Sequence, residues 1–406
     1  MITKATVCHA ALALALVSAA QAADDLPEFL DKVQLWNFDG HEPTPDGTGV
    51  SVYRLPAEIR GALSEAGAKQ MVHASRSEIR FVLKEGAKLE DVTIHLKSNR
   101  NTTVMFYRGD QLCGMTILKD KKGAEPYIPP SLVGKTSGPG FPDKACEIAL
   151  QPAKLKPPPA NAGDGPAGPM PAKRFPEHVC RVLLGGGVIT LTGIEGDIRP
   201  PAPEELPPML VSYGTSISQG AAASRPDRSF TSLTAAALGH DLRNLGCSGS
   251  AFLEPELAEY LAKQPGDLFL FEISVNMAGK GFTVEEFRNR ATALIDKVAT
   301  AHPDVPVVCI SILTLGKGGR KDAKPGPIPA FRQALEEICR ETPHKNVHFV
   351  DGTQLLSVSG LAKDNIHPTD VGMAEIATKL TARLQPLVSD RARSGGAPTR
   401  EPTPQP

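Results

Sequence analysis

The chain has 406 residues, enough for two domains with separate cores, and 44 Lys+Arg against 45 Asp+Glu leave a net charge of −1. That balance gives no electrostatic footprint for nucleic acid or an anionic membrane surface, and an aromatic content of 5% argues against a stacking platform for single strands. Glycine and proline, 37 of each, are plentiful and unevenly spread.

Residues 1–22 read as an export signal: Lys4, the apolar run "ATVCHAALALALVSA" and the Ala20-Gln21-Ala22 cleavage site. The mature protein is expected to begin near Ala23, in the periplasm or outside the cell. The apolar run is short for a membrane span and no later run approaches its length, so no membrane association is expected after cleavage. Outside the signal there are six cysteines: Cys113, Cys146, Cys180, Cys247, Cys309 and Cys339. An oxidising compartment permits bridges, but the sequence does not choose a pairing. Cys247 and Cys309 read as small buried hydrophobes. No zinc-like spacing appears, and no metal or cofactor is expected.

From residue 24 to 198 the patterns are those of strands. "SEIRFVL", "DVTIHLK", "TTVMFYR" and "QLCGMTIL" alternate apolar and polar positions between turn residues. "HVCRVLL" and "VITLTGI" flank "GGG", which signals a hairpin. Short strands at even spacing predict an antiparallel sandwich or jelly roll. Nothing in it clusters into a catalytic set, so it reads as an accessory domain. A Pro/Gly/Lys-rich insertion near 119–173 is expected to be disordered, as is the tail 389–406. "RPPAPEELPP" at 199–208 reads as a linker, favouring independent domains, whereas the apolar strand "VITLTGI" so near it suggests that the domains pack together.

From Met209 to 388 the rhythm changes. The apolar runs "MLVSY", "LRNLG", "DLFLFEIS", "VPVVCISIL" and "VHFVDG" alternate with five helical stretches, which predicts a parallel sheet covered on both faces. In such sheets, sites form beyond the carboxyl ends of the strands. Four of these ends carry chemistry-bearing residues. "YGTSISQG" presents Ser216 on a glycine-flanked turn, a nucleophile or merely an N-cap serine. "NLGCSGSAF" offers backbone N–H groups around Gly246 and Gly249, or simply a tight turn. "EISVNMAG" offers the Asn276 amide, or a turn former. "DNIHPTDVGM" sets Asp364 three residues before His367, a pair that can fix the imidazole tautomer. A nucleophile, a base and donors for an oxyanion are the parts that ester cleavage requires.

In this order the four blocks resemble those of the SGNH (GDSL-type) hydrolase family, over about Met209 to Leu387. The resemblance implies a flavodoxin-like three-layer α/β/α sandwich. It also implies Ser216 as nucleophile, His367 as base and Asp364 as its orienting acid. The oxyanion donors would be the Ser216 and Gly249 N–H groups and the Asn276 amide. Two blocks depart from the family pattern: Thr215 stands where the first usually has Asp, and the third, usually Gly-x-Asn-Asp, reads Ser274-Val275-Asn276-Met277. "YGTSI" with a following "QG" and "ASRP" is similar to a branch that often carries a preceding β-sandwich. That branch implies a small-molecule or glycan ester as substrate. The expectation is an exported serine esterase removing acetyl or another short acyl group, with an acyltransferase or an inactive glycan-binding protein as alternatives. The oligomeric state is not legible. A chain starting near Glu204 is expected to retain activity on a small ester if it folds.

Four further features have ordinary explanations beside functional ones. Glu272 is a second acid or one half of an ion pair. Arg225 shapes the pocket or holds its loop by a salt bridge. His240 and His302 sit where helix C-terminal capping is expected. "GKGGRKDAKPG" at 316–326 lacks the phosphate-loop arrangement and reads as a mobile loop.

Overall fold

The computed structural model describes residues 26–118, 146–157, 168–317 and 328–393. The expected signal, most of the Pro/Gly-rich insertion, the 316–326 loop beyond Lys317 and the end of the tail lie outside the described residues.

Two antiparallel sheets form the first half of the chain. One lines up β1 (Gln34–Trp36), β4 (Ser77–Leu83), β9 (Val179–Leu184), β6 (Thr102–Arg108) and β7 (Gln111–Leu118), with β11 (Ile198–Arg199) added to β4. The other lines up β2 (Gly40–Pro43), β3 (Val50–Tyr53), β10 (Ile189–Glu195), β5 (Thr93–Ser98) and β8 (Cys146–Leu150). Alternate residues of both, among them Ile79, Phe81, Val104, Phe106, Ile94, Leu96, Ile189 and Leu191, share one buried core. Period-2 alternation therefore did set which face is inside.

Three expectations are corrected. β9 and β10 do not pair, so "GGG" is not a hairpin turn; each strand belongs to a different sheet, and the glycines carry the chain across the sandwich. The insertion contains β8, which pairs with β5, so its flanks are ordered by sheet contacts that composition does not reveal. The stretch 199–208 is not a free tether. β11 pairs with β4, and Arg199 binds Glu205 at 2.8 Å while Glu205 also accepts from the Ala202 N–H.

The second half is a parallel sheet in the order β13 (Asp241–Gly246), β12 (Met209–Gly214), β14 (Leu268–Glu272), β15 (Val307–Ile310), β16 (Val347–Val350). This is the flavodoxin-like order, with its topological switch between β12 and β14. Side chains alternate between its faces. Val211, Tyr213, Phe269, Phe271, Val307 and Cys309 pack with the helices Pro255–Ala262, Val284–Ala301 and Ile328–Glu341. Leu210, Leu268, Leu270, Val308 and Ile310 pack with Phe230–Ala237 and Asp370–Arg393. The last helix runs five residues past the expected domain end. Among the described residues no helix is long and apolar enough to cross a membrane.

The halves meet at β13, the sheet's edge strand. In a parallel strand every second carbonyl points to the free side, here those of Leu242, Asn244 and Gly246. Side chains of the sandwich satisfy all three. Trp36 Nε1 donates to Leu242 O at 2.8 Å, Asn37 Nδ2 to Asn244 O at 3.0 Å, and Arg54 to Asn244 O and Gly246 O at 3.2 and 2.7 Å. Arg80 forks onto Asp241 at 2.7 and 2.8 Å, and Asp39 bonds both Arg243 and Tyr260. Trp36, Leu55, Leu63 and Met71 join the hydrophobic cluster on one face of the parallel sheet. The sandwich covers an edge that would otherwise template aggregation, and is not an independent accessory.

Candidate active site

β12 ends at Gly214, and the chain turns into a four-residue helix, Ser216–Gln219. Thr215, not Ser216, is the N-cap: its hydroxyl accepts from the Ile217 N–H at 3.2 Å. Ser216 is thereby freed from capping and stands at the first helical position. Its Oγ lies 2.7 Å from His367 Nε2.

His367 belongs to the loop after β16, just before the last helix. Its Nδ1 lies 2.6 Å from Asp364 Oδ2. A carboxylate only accepts, so Nδ1 carries the proton and Nε2 presents its lone pair to the serine hydroxyl. Asp364 Oδ1 also accepts from the N–H groups of Ile366 and His367 at 2.9 and 3.0 Å. Partial burial pushes the Asp364 carboxyl up, but the bonds from the His367 ring and these two N–H groups outweigh it and hold the group below its ordinary pKa. Asn365 between them adopts a left-handed φ of 59°, a conformation Asn tolerates, and this lets the loop fold back on Asp364.

The other two blocks surround the Ser216 turn. A Cβ on Gly246 would come within 2.4 Å of the Gln219 backbone N, so only glycine lets the short helix sit on the end of β13. Gly249 differs: a Cβ there meets nothing, and the requirement is its φ of 70°. Gln219 ties three parts together. Its Oε1 accepts from the Ser248 N–H at 2.8 Å and its Nε2 donates to Ser75 Oγ of the sandwich at 2.8 Å. Gln219 lies in the "YGTSISQG" motif, but nothing in the sequence ties Ser75 or Arg54 to the site, because their partners lie on segments brought together only by the fold.

Asn276 lies on a short helix, Val275–Gly279, after β14. Its Oδ1 accepts from the Ala251 N–H at 3.1 Å, which leaves Nδ2 without a protein partner among the described residues. The approach is strained. Buried Ser274 has a φ of 96°, unusual for a residue with a Cβ, and such strain concentrates at functional sites.

Glu272 makes no ion pair among the described residues. It is 1% exposed and accepts from Thr215 and Ser218. Arg225 pairs with Asp227 at 2.9 Å. His240 Nδ1 bonds Leu238 O at 2.8 Å at the end of its helix, and His302 Nε2 bonds Ala262 O at 2.9 Å, at the end of a neighbouring one. Cys247 and Cys309 are buried free thiols, and burial pushes the Cys247 thiol up to about 12, which makes it inert.

Comparison with known proteins agrees with this fold. Residues 208–385 match the model of the GDSL-like Lipase/Acylhydrolase family. No curated protein matches the chain. A salicylyl-acyltransferase from a tetracycline biosynthetic pathway is similar over 91% of this chain and 96% of its own, with a TM-score of 0.63 and 16% identity. A putative GDSL-like lipase from Bacteroides ovatus covers 88% of this chain and 96% of its own, with a TM-score of 0.58 and 18% identity. A family two carbohydrate esterase from Cellvibrio japonicus covers 89% and 96%, with a TM-score of 0.55 and 14% identity. At such identities the solved structures speak for the fold, sandwich included, and the family match speaks for the chemistry. Residues 208–385 are therefore a GDSL-like lipase/acylhydrolase domain, which makes the protein an enzyme acting on ester bonds.

Proposed function

We propose that the protein is an exported serine esterase that removes acetyl or another short acyl group from a carbohydrate, with Ser216, His367 and Asp364 as its catalytic triad. The observation that carries this reading is the unbroken relay from Ser216 through His367 to Asp364, at 2.7 and 2.6 Å. In this scheme Ser216 Oγ attacks the ester carbonyl carbon while its proton passes to His367 Nε2. Asp364 holds the ring and stabilises the imidazolium. The carbonyl oxygen becomes an oxyanion, which the N–H groups of Ser216 and Gly249 and the Asn276 amide receive. Collapse breaks the bond to the alcohol, which leaves with the proton from His367. Water, deprotonated by the same imidazole, then attacks the acyl-serine and releases the acid.

The sugar half of the proposal draws on the resemblance of the chain to carbohydrate esterases, including a Clostridium thermocellum family two enzyme in complex with cellohexaose. Acyl transfer to an alcohol is the second reading. The relay is equally suited to it, and a salicylyl-acyltransferase shares the fold. Product analysis on an acylated glycan, with and without an added acceptor sugar, separates the two. Ser216→Ala should lower kcat by several orders of magnitude with little change in Tm. More than about a tenth of wild-type activity in that variant would reject the triad, since the loss of a nucleophile costs far more than one decade.

A further inference from the structure

We propose that Glu272 is a positioning residue, fixing the nucleophile turn in register with the loop that delivers Asn276; this inference rests on the reading of Ser216 as nucleophile. Glu272 is the last residue of β14 and lies opposite Gly214, the last residue of β12, so it stands where the two central strands release their functional loops. One of its oxygens, Oε2, accepts three hydrogen bonds: from the Thr215 N–H at 3.1 Å, from the Thr215 hydroxyl at 2.6 Å and from the Ser218 hydroxyl at 3.0 Å. The two donor residues bracket Ser216. The turn is thus held on both sides of the nucleophile by one atom of a different strand.

The Thr215 hydroxyl has a single proton. By giving it to Glu272 it turns a lone pair toward the Ile217 N–H, which is the bond that caps the helix carrying Ser216. Glu272 therefore orients the cap as well as the turn. Beyond Glu272, β14 continues through left-handed Ser274 to Asn276. Slippage between β12 and β14 would alter the separation between the Ser216 N–H and the Asn276 amide. Oxyanion donors act over a window of only about 2.7–3.1 Å, and a misplacement of about 1 Å costs roughly a hundredfold in rate.

A carboxyl group is a costly way to fill this position. It is wholly buried, it makes no ion pair among the described residues, and its Oε1 is buried with no hydrogen-bond partner. Burial raises its pKa against the hydrogen bonds from Thr215 and Ser218, which lower it. Packing alone would be served at lower cost by an apolar residue, whereas the geometry uses an acceptor strong enough to gather three donors onto one atom.

The test compares Glu272→Gln, Glu272→Ala and Thr215→Val with the wild type and Ser216→Ala in the full chain, reading kcat and KM on a chromogenic acetate ester and Tm on the same preparations. Glu272→Gln retains an acceptor oxygen and should stay within about tenfold of wild-type kcat. Glu272→Ala should lose about a hundredfold in kcat with KM within about threefold. Thr215→Val, which removes only the hydroxyl, should lose about tenfold. Wild-type kcat in a folded Glu272→Ala overturns the inference, as does Glu272→Gln falling as far as Glu272→Ala. If neither Glu272 variant folds, Thr215→Val decides, and an unchanged kcat there overturns it. An active Ser216→Ala would remove the premise itself, whereas an inactive Ser216→Ala beside a fully active Glu272→Ala defeats this inference alone.

Discussion

Asn276 spends its carbonyl on the Ala251 N–H, and this fixes which end of the side chain is left to donate. If that amide receives the oxyanion, the bond matters once charge develops on the substrate oxygen, not before. Asn276→Ala should then lower kcat and kcat/KM in parallel by about a hundred- to thousandfold, or about 2.7–4 kcal/mol, while KM stays within a few fold. Asn276→Asp should be worse, because it sets a negative charge against the forming oxyanion. A fall in Tm with per-molecule kcat intact would instead make Asn276 the anchor of the Ala251 loop. The residue types at this site were legible from sequence because Asp364 and His367 are near neighbours, and the turn around Ser216 is local. What was not legible is the second partner of each group. The sequence allows Glu272 as a second acid or half of an ion pair, yet its partners are the N–H and hydroxyl of Thr215 and the hydroxyl of Ser218, one strand away.

At the scale of elements, β4 and the segment before it carry an unusual load of buried charge. Glu78 bonds Arg80 at 2.7 Å and Arg181 at 3.0 Å, and Arg80 reaches across to Asp241. Just upstream, His73 is 8% exposed, and its Nδ1 is buried without a hydrogen-bond partner. Burial first, then the nearby Arg100 and Arg54 charges, push its pKa down to about 3. The unfolded chain takes up this proton near the ordinary histidine pKa of about 6.5, and the folded chain refuses it until about pH 3. The neutral imidazole's contribution is therefore complete above about pH 6.5 and is lost as pH falls toward the folded value, with a limiting slope of about 1.4 kcal/mol per pH unit. His73→Gln removes this one term. Unfolding free energy measured in urea from pH 7 to pH 4 should fall less steeply in the variant than in the wild type. Equal slopes would show that His73 is protonated in the fold.

For the whole molecule, the union of sandwich and parallel sheet decides what can be separated. A chain beginning near Glu204 would uncover Leu242, Asn244 and Gly246 carbonyls along the edge of β13, strand out the Asp241 and Arg243 side chains, and expose the apolar surface that Trp36, Leu55, Leu63 and Met71 cover. It should aggregate, or fold with a Tm well below that of the full chain, and its site should lose order because Arg54 and Ser75 no longer hold Gly246 and Gln219. A soluble, monomeric fragment with full kcat on a small ester would show that the interface is dispensable. This reverses the independence suggested by the proline-rich stretch 199–208, where composition marked a boundary that tertiary contacts closed.

Local chemistry by itself determined most of the elements and pointed to the candidate site residues. "SEIRFVL", "TTVMFYR" and "QLCGMTIL" became β4, β6 and β7 with the same boundaries, because the apolar/polar alternation of a strand is a property of adjacent residues. The alternation of apolar runs with helices marked a parallel sheet, and the residues at its strand ends suggested the chemistry proposed for the site. Only the tertiary structure decided pairings that bridge long separations. It assigned β9 and β10 to different sheets, drew β8 out of a proline-rich insertion, and turned the sandwich into the cover of an edge strand. It also joined Glu272 to Thr215 and Ser75 to Gln219. The physical reason is common to all of these. Each is a hydrogen bond or burial whose two halves are specified by different parts of the chain, and neither half is marked as such until the other arrives.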